Sequence, residues 1–472
     1  MPTISKLPDE VLLDIFDFCR QNHNAALLLP WPWHVLVHVC QRWRQIVFTS
    51  PLRLDLRIIC RNGTPVRESL TIWPAFPIVI NYGKPQTLRC IAPNDEDNAI
   101  AALEHSDRVC FLQLNGTGSQ LEKMVTVMQR PFPVLTHLII SSVDGAAPVL
   151  PAEFLGGSAP RLQKISLSGI PYPTLPKLLL SASDLERLYL DNIPPTGYIS
   201  PEAMVMRLVA LPKLKNLIIN FQMATPRPVR IHSPPSTPTV LPNLTSFVFQ
   251  DASEYLEDLV ARIDGPQLNQ ILIYYLNQIV DFQVTQYSRF INRSVCPEPT
   301  LSKYAHIIFS RECINFATHR HASHLYGDYD KEPAVTRVLC QGIDWQVSHM
   351  AQVISHFFAT LSNVVHLCIW FDGEGELESM EDVEWLHLLR HFSTVQTLYV
   401  SVQLAGHVAL AMEDITADMV AEVLPSLALV RLEGRPASSL QKFVAVRQLS
   451  GRPVSVVPTY AGFDLRRESI SK

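Results

Sequence analysis

From residue 106 onward one pattern of apolar and polar positions returns: apolar, two residues, apolar, one residue, apolar. It reads Leu135/Leu138/Ile140, Leu162/Ile165/Leu167, Leu185/Leu188/Leu190, Leu214/Leu217/Ile219, Leu244/Phe247/Phe249 and Leu268/Ile271/Ile273. It resumes as Val364/Leu367/Ile369, Val395/Leu398/Val400 and Leu427/Val430/Leu432, with looser copies at Val109/Leu112/Leu114, Tyr304/Ile307/Phe309 and Val335/Val338/Cys340. The last two positions of each copy alternate as one face of a strand does, and the first begins the turn into it. Helical spacing fills the gaps. Ser200-Pro201 opens a helix holding Met204 and Leu208; Ser253 opens another, with Leu256, Leu259 and Val260 before the Gly265 stop. Asp344 opens a third, through Val347, Met350, Ile354 and Phe358, and Ser379 a fourth that ends near Leu389. Proline stands just before the first leucine in several copies (Pro160, Pro212, Pro242, Pro266, Pro425), where it ends the preceding helix. Strand, turn and helix at steps of roughly 23 to 36 residues predict an α/β fold of parallel strands with helices outside.

The two ends read differently. Residues 5–18, SKLPDEVLLDIFDF, place Ser5 as a cap, Pro8 near the first turn and Asp9 and Glu10 where they complement the helix dipole. A second helix is expected over HVLVHVCQRWRQIVF, with Leu36, Val39, Cys40, Trp43 and Val47 on one face. Helices this short bury little apolar surface, so the module needs a partner or the rest of the chain to cover its stripe. At the other end, residues 437–449 predict a last helix stopped by Gly451, a cap of the kind repeat arrays require. The proline-rich stretch from Thr225 to Pro242 reads as a loop within one repeat, its Ser233-Pro234 and Thr237-Pro238 included.

Two resemblances follow. The apolar triad at this period resembles the leucine-rich repeat, in a less regular form and without an asparagine ladder. The N-terminal Leu7-Pro8-Asp9-Glu10-Val11, then Ile15, then Leu36 to Val39-Cys40-Gln41-Arg42-Trp43-Arg44, resembles the F-box motif. With Ser50-Pro51-Leu52-Arg53-Leu54-Asp55-Leu56 it is most similar to the F-box proteins expanded in mushroom-forming fungi. The resemblance implies binding to the small Skp adaptor and, through it, a cullin–RING ubiquitin ligase. Leu7, Pro8, Ile15, Leu36, Val39 and Trp43 stand at the positions that would carry that interface. The domain organisation expected is an F-box helical module over 1–55, a connecting segment over 56–105, a leucine-rich-repeat-like array over 106–436, and a capping helix with tail over 437–472. The fold class is α/β: a short helical F-box ahead of an irregular leucine-rich-repeat-type solenoid.

Charge and composition remove whole classes of function. With a net charge of −5 the chain offers no electrostatic reason to bind nucleic acid. The greasy stretch Ala25–Cys40 is broken by Pro30, Pro32, His34 and His38, so no membrane span is expected, and Lys6, Asp9, Glu10 and Asp14 argue against a secretory signal. Nine cysteines dispersed singly fit reduced thiols, hence cytoplasm or nucleus. No nucleophile elbow, phosphate loop or His-Glu-x-x-His occurs, and no cofactor or metal is expected. His319, His321 and His324, near Cys313, read as a polar, turn-like stretch before Gly327, and Asp372–Glu384 as a solvated loop.

A partner surface is expected where strand residues point away from the core. One column reads His137, Lys164, Arg187, Asn216, Ser246, Gln270, His306, Arg337, His366; the far column includes Ser141, Ser168, Asp191, Tyr274, Ser310, Gln341 and Trp370. Between them lie Ile139, Tyr189, Ile218, Val248, Leu272, Leu339 and Tyr399. Arginine and aromatic residues dominate binding hot spots, so Arg187, Tyr189, Tyr274, Arg337, Trp370 and Tyr399 are the candidate substrate-binding residues. The function expected is a non-catalytic substrate-recognition adaptor of a Skp–cullin–F-box ligase, binding a protein substrate through the array. The alternative is a repeat scaffold whose F-box-like end is only a structural cap.

Overall fold

The computed structural model describes residues 6–23, 33–83, 91–92, 95–146, 148–171, 175–222, 237–275, 285–294, 303–310, 313–319, 336–341, 351, 354, 361, 363–372, 382–434 and 440–459. Ser5, Ser233-Pro234, His321, His324, Gly327, the helix starts at Asp344 and Ser379 and most of the helix expected after Asp344 lie outside these residues. The chain divides into two compact units, Met1–Ile199 and Ser200–Lys472.

The first unit begins with helices α1 (Asp9–His23), α2 (Trp33–Val37) and α3 (Gln41–Thr49). Leu12 and Phe16 of α1 are buried, and Phe16 meets Trp43 of α3 edge to face at 4.8 Å. Asp9 pairs with Arg42 at 2.5 Å, and Arg53 with Asp14. The single helix expected over residues 34–48 is two. Cys40 is extended (φ −160°, ψ 167°), and its Sγ accepts the Trp43 N–H at 3.4 Å, capping α3. Val35, Val37, Val39 and two histidines make a run of weak helix formers ahead of that cap, so the chain breaks there cheaply.

Six parallel strands follow, each beside the next: β1 (Ile58–Arg61), β2 (Ile78–Tyr82), β3 (Val109–Gly116), β4 (His137–Ser142), β5 (Lys164–Ser168) and β6 (Arg187–Ile193). Helices α4 (Val66–Ile72), α5 (Glu96–Leu103), α6 (Gly118–Val127) and α7 (Leu175–Ser181) alternate with them. Thus β1, β2, α4 and α5 occupy the stretch expected to be a connection, and the parallel sheet begins at Ile58. Neither strand carries the leucine triad. From β3 to β6 the triad sets the register: Leu112, Leu138, Ile165 and Leu188 are partners in one row and Leu114, Ile140, Leu167 and Leu190 in the next, all buried.

The second unit opens with α8 (Pro201–Leu208), capped as expected by the Ser200 hydroxyl accepting from Ala203 N–H at 3.3 Å. Its strands are β7 (Asn216–Phe221), β8 (Thr239–Val240), β9 (Ser246–Asp251), β10 (Ile263–Asp264), β11 (Gln270–Tyr275), β12 (Tyr304–Phe309), β13 (Cys313–His319), β14 (Thr336–Gln341), β15 (His366–Phe371), β16 (Thr397–Val400), β17 (Leu429–Glu433) and β18 (Ser455–Thr459). Helices α9 (Ser253–Val260) and α10 (Thr285–Ser294) fall between β9 and β12, and β8 pairs β10 apart from the main sheet. The main sheet runs β7-β9-β11-β14-β13-β12-β15-β16-β17-β18. The copies at Tyr304 and Val335 are therefore not successive repeats. They flank β13, antiparallel to both, and stand in the reverse of their chain order. Of the stretch read as turn-like before Gly327, His319 is the last residue of that strand and is buried, as are Ile314 and Phe316; His321, His324 and Gly327 lie outside the described residues.

One main-chain device recurs in both units. In most copies the first apolar residue donates its N–H three residues back: Leu135 to Phe132, Leu162 to Ala159, Leu185 to Ala182, Leu214 to Leu211, Leu244 to Leu241, Val364 to Leu361, Val395 to Phe392 and Leu427 to Leu424. The next residue then donates to the preceding strand segment, as in Thr136 to Cys110 O, Gln163 to Thr136 O, Glu186 to Gln163 O, Asn269 to Thr245 O and Ala428 to Gln396 O, at 2.8–3.0 Å. Backbone bonds thus do what an asparagine ladder does with side chains. The fold is α/β of leucine-rich-repeat type.

The C-terminal helix forms over Gln441–Leu449 and stops at Gly451, whose φ of +72° suits glycine. The cap also includes β18, an edge strand beside β17 that the pattern did not predict. Arg447, 1% exposed, donates to the carbonyls of Leu424 (3.0 Å), Leu427 (2.7 Å) and Arg452 (3.0 Å). Replacing it by methionine keeps an apolar stem but strands buried carbonyls. Arg447→Met is expected to lower the unfolding free energy by about 1–3 kcal/mol. A urea denaturation midpoint equal to that of the parent protein would refute this role.

Candidate partner-binding surfaces

The N-terminal helices leave an apolar stripe uncovered. Val11, Ile15 and Phe18 follow one another at four- and three-residue steps on α1 and are 40%, 40% and 65% exposed. Val35 of α2 and Val39, just past it, are exposed as well. Of the six residues predicted for the Skp interface, Pro8, Ile15 and Val39 are exposed and Leu7, Leu36 and Trp43 half-buried. None is a core residue. The core of the module is instead Leu12, Phe16, Trp33, Val37, Ile46 and Val47. Val47, expected on the same face as Val39, lies on the opposite side of the break at Cys40 and is buried.

On the sheet of the first unit, the outward face is buried at Phe111, Gln113 and Asn115 of β3 and half-exposed across β4 and β5. His137, Lys164 and Arg187 are register partners on three adjacent strands, about 4.8 Å apart. The row is one of like charges. Burial, then the Lys164 and Arg187 charges, hold the His137 imidazole below its usual range. Burial, then Arg187, lower the Lys164 ammonium. Aromatic rings lie beside two members: Phe111 stacks on His137 at 5.6 Å, and the Lys164 Nζ sits 5.0 Å from the centre of the Tyr189 ring. Among the described residues no carboxylate pairs with Lys164 or Arg187. Asp191, at the far end of β6, holds the Ser168 hydroxyl at 3.2 Å, and Asp55 holds Arg57 at 2.9 Å. Arg187 and Tyr189, both predicted, belong to this face; His137 and Lys164 stood in the predicted column but not among the chosen residues.

On the second unit, the observed register moves several residues out of the columns expected for them. Arg337 pairs Leu272, so it stands in the middle column, and Leu339 pairs Tyr274 in the far one. His306 pairs Cys368, with Tyr304 rather than His306 beside His366. The reversed strands cause this, because a hairpin resets the register that a periodic reading carries forward. Four predicted residues fall in two separate places. Tyr274 and Arg337 lie on adjacent strands, whereas Trp370 and Tyr399 are stacked at 6.4 Å with planes 7° apart. Tyr399 is only 3% exposed, and Arg431 lies 5.9 Å from its ring centre on the next strand. Tyr399 therefore supports Trp370 rather than presenting itself to a partner. Tyr304, read as the leading residue of a triad, stacks instead on His366 of the predicted column at 4.7 Å, and Arg431 stood in no column. Burial pushes the Cys368 thiol under this face up to about 12, leaving it inert.

Beside the edge strand β1 is a cavity of about 300 Å³ lined by Trp33, His34, His38, Arg57, Arg61 and Trp73, among others. Among the described residues no group of three histidine, cysteine, aspartate or glutamate side chains is placed to hold a metal, and no helix is long and apolar enough to cross a membrane.

No family model matches the chain, and no curated protein does. Among solved structures it is similar to the leucine-rich repeat-containing protein LegL7 from Legionella pneumophila. The TM-score is 0.28 and the identity 12%, over 85% of this chain and 99% of that one.

Like charges opposed across strands cost about 0.2–1 kcal/mol per pair. Arg187→Gln is therefore expected to raise stability by that amount at low salt and to move the His137 titration upward. A histidine held below its ordinary 6.5 favours the folded state above that value and destabilises it as pH falls through it. The same variant should thus lose less stability on acidification than the parent. NMR titration of His137 checks the coupling, and an unmoved midpoint would sink it.

Proposed function

We propose that the chain is the substrate-recognition subunit of a Skp–cullin–F-box ubiquitin ligase, in cytoplasm or nucleus. The observation that carries this reading is the exposed stripe Val11, Ile15 and Phe18 on α1, with Val35 of α2 and Val39 exposed as well. Of the residues at the positions of the F-box motif, Ile15 lies on that stripe, Pro8 and Val39 are exposed, and Leu7, Leu36 and Trp43 are half-buried, Trp43 against Phe16. A module that served only as a cap has no reason to leave the exposed ones out in water, since contiguous apolar surface tends to mark contact sites. The chain supplies no chemistry of its own in this reading. One end docks on the ligase, the repeat sheet holds a substrate, and the ligase acts on lysines brought near it, a gain in effective concentration. The resemblance to the F-box proteins of mushroom-forming fungi supports the same assignment.

The test is co-expression with a Skp adaptor followed by pull-down. Trp43 packs on Phe16, so its removal would disturb the fold; Pro8, Ile15 and Val39 are exposed and serve better. Truncating an interface anchor costs about 2 kcal/mol, roughly 30-fold in Kd. Pro8→Ala/Ile15→Ala/Val39→Ala is expected to fold as the parent does and to lose Skp. If the folded parent chain captures no Skp either, the ligase assignment should be abandoned.

A further inference from the structure

A sheet rarely aligns like charges across adjacent strands without neutralising them, because each such pair weakens it. The row His137, Lys164, Arg187 does this in the part of the first unit's sheet that is open to solvent. Its outward neighbours divide by chemistry. The middle column holds Ile139, Ser166 and Tyr189; the far column holds Ser141, Ser168 and Asp191. Nearby carboxylates are engaged elsewhere: Asp55 with Arg57 and Asp191 with Ser168. The face therefore offers two fixed cations and one titratable group at one edge, with an apolar and aromatic strip about 7 Å further along the strands.

We infer that this face binds an acidic, partly apolar segment of a partner protein, whose carboxylates meet Lys164 and Arg187 while its apolar side chains lie over Ile139 and Tyr189. Charge complementarity selects the occupant. A segment carrying both carboxylates and apolar residues satisfies both columns at once, and an extended chain repeats same-side residues about every 6.8 Å, a spacing that long lysine and arginine side chains span easily. A nucleic acid fits less well. The chain's net charge is −5, two permanent cations neutralise few phosphates, and Asp191 stands at the far end of the same strands. This deepens the reading of the sheet as the substrate surface and rests on that part of it alone; Skp docking is independent of it.

His137 gives the site a signature. Its proton is disfavoured by burial and by the Lys164, Arg187 and Arg57 charges, and a bound carboxylate would restore it. Binding should therefore tighten as pH falls through the ordinary histidine value of 6.5 and take up a proton.

The experiment is fluorescence anisotropy of the full chain with a labelled peptide alternating glutamate and leucine, its lysine–leucine counterpart, and a single-stranded RNA of mixed sequence. The glutamate peptide is expected to bind in a salt-sensitive way, tighter at lower pH, and the lysine peptide not at all. Lys164→Gln/Arg187→Gln should weaken the glutamate peptide by at least about 10-fold. The double variant relieves a repulsion, so loss of binding is not expected to reflect loss of fold, and circular dichroism checks this. No binding of the glutamate peptide to the folded chain, equal affinity for parent and variant, or tighter binding of the RNA would each overturn the inference. A chain that captures Skp but not the peptide loses this inference and keeps the adaptor reading. One that binds the peptide but not Skp does the reverse.

Discussion

Where the triad recurs, the sheet surface depends on the main-chain turn at the first apolar residue of the repeat. That residue's N–H closes a three-residue turn, and the following N–H reaches back to the preceding strand segment. The first bond ends the descending segment; the second sets where the next strand begins relative to its neighbour. Register is thus fixed by backbone groups before any side chain is consulted. Since side chains alternate with a period of two, a fixed start also fixes which residues face the core. The leucines are the consequence. Rows such as Leu112, Leu138, Ile165 and Leu188 are buried because the turns bring them level, and their burial in turn holds the turns closed.

A lock of this kind has a cost on the open face, where residues brought level include some that repel. His137, Lys164 and Arg187 meet because their strands start in step, not because they attract. The core rows beneath them are strong enough to hold the arrangement. Burying one leucine contributes more than one such like-charge pair removes, about 1.5–3 against 0.2–1 kcal/mol. The face can therefore carry a charge pattern that is unfavourable by itself. Where the register is interrupted, by β12, β13 and β14, the surface changes character as well. Arg337 and His306 shift column, and buried polar groups such as His306 and His319 come ring to ring at 4.8 Å.

The strands that carry the triad were legible from periodicity because the pattern reports burial, and in a parallel sheet burial is a row property. β1 and β2 were not, since they meet their neighbours through Ile58, Cys60, Ile78 and Ile80 without the leading leucine. β13 was missed although Ile314 and Phe316 alternate with Cys313 and Asn315 as a strand does, because its antiparallel pairing follows a hairpin that a fixed period has no means to express. The break at Cys40 escaped for another reason: Leu36, Val39, Trp43 and Val47 keep helical spacing across it, so spacing alone does not register a two-residue turn. Of the site, Arg187 and Tyr189 were readable from one strand. The withdrawal of Tyr399 was not, because it depends on Trp370 and Arg431 from both neighbouring strands.

The N-terminal helices show the opposite balance from the sheet. There, turns and rows bury nearly every leucine; in α1 the chain splits its apolar residues between two sides, Leu12 and Phe16 inward, Val11, Ile15 and Phe18 outward. The inward pair already suffices to seat α1 on α3 through Trp43. The outward set contributes nothing to that packing and carries the hydration penalty of exposed valine, isoleucine and phenylalanine. The sheet face and the helical stripe thus share one physical property: each holds side chains in a less favourable environment than the fold requires. In the sheet the imbalance is one of charge, in the helices one of apolar surface. On the reading proposed above, that difference would suit an adaptor, since a protein joining two others gains from ends that do not compete for the same surface.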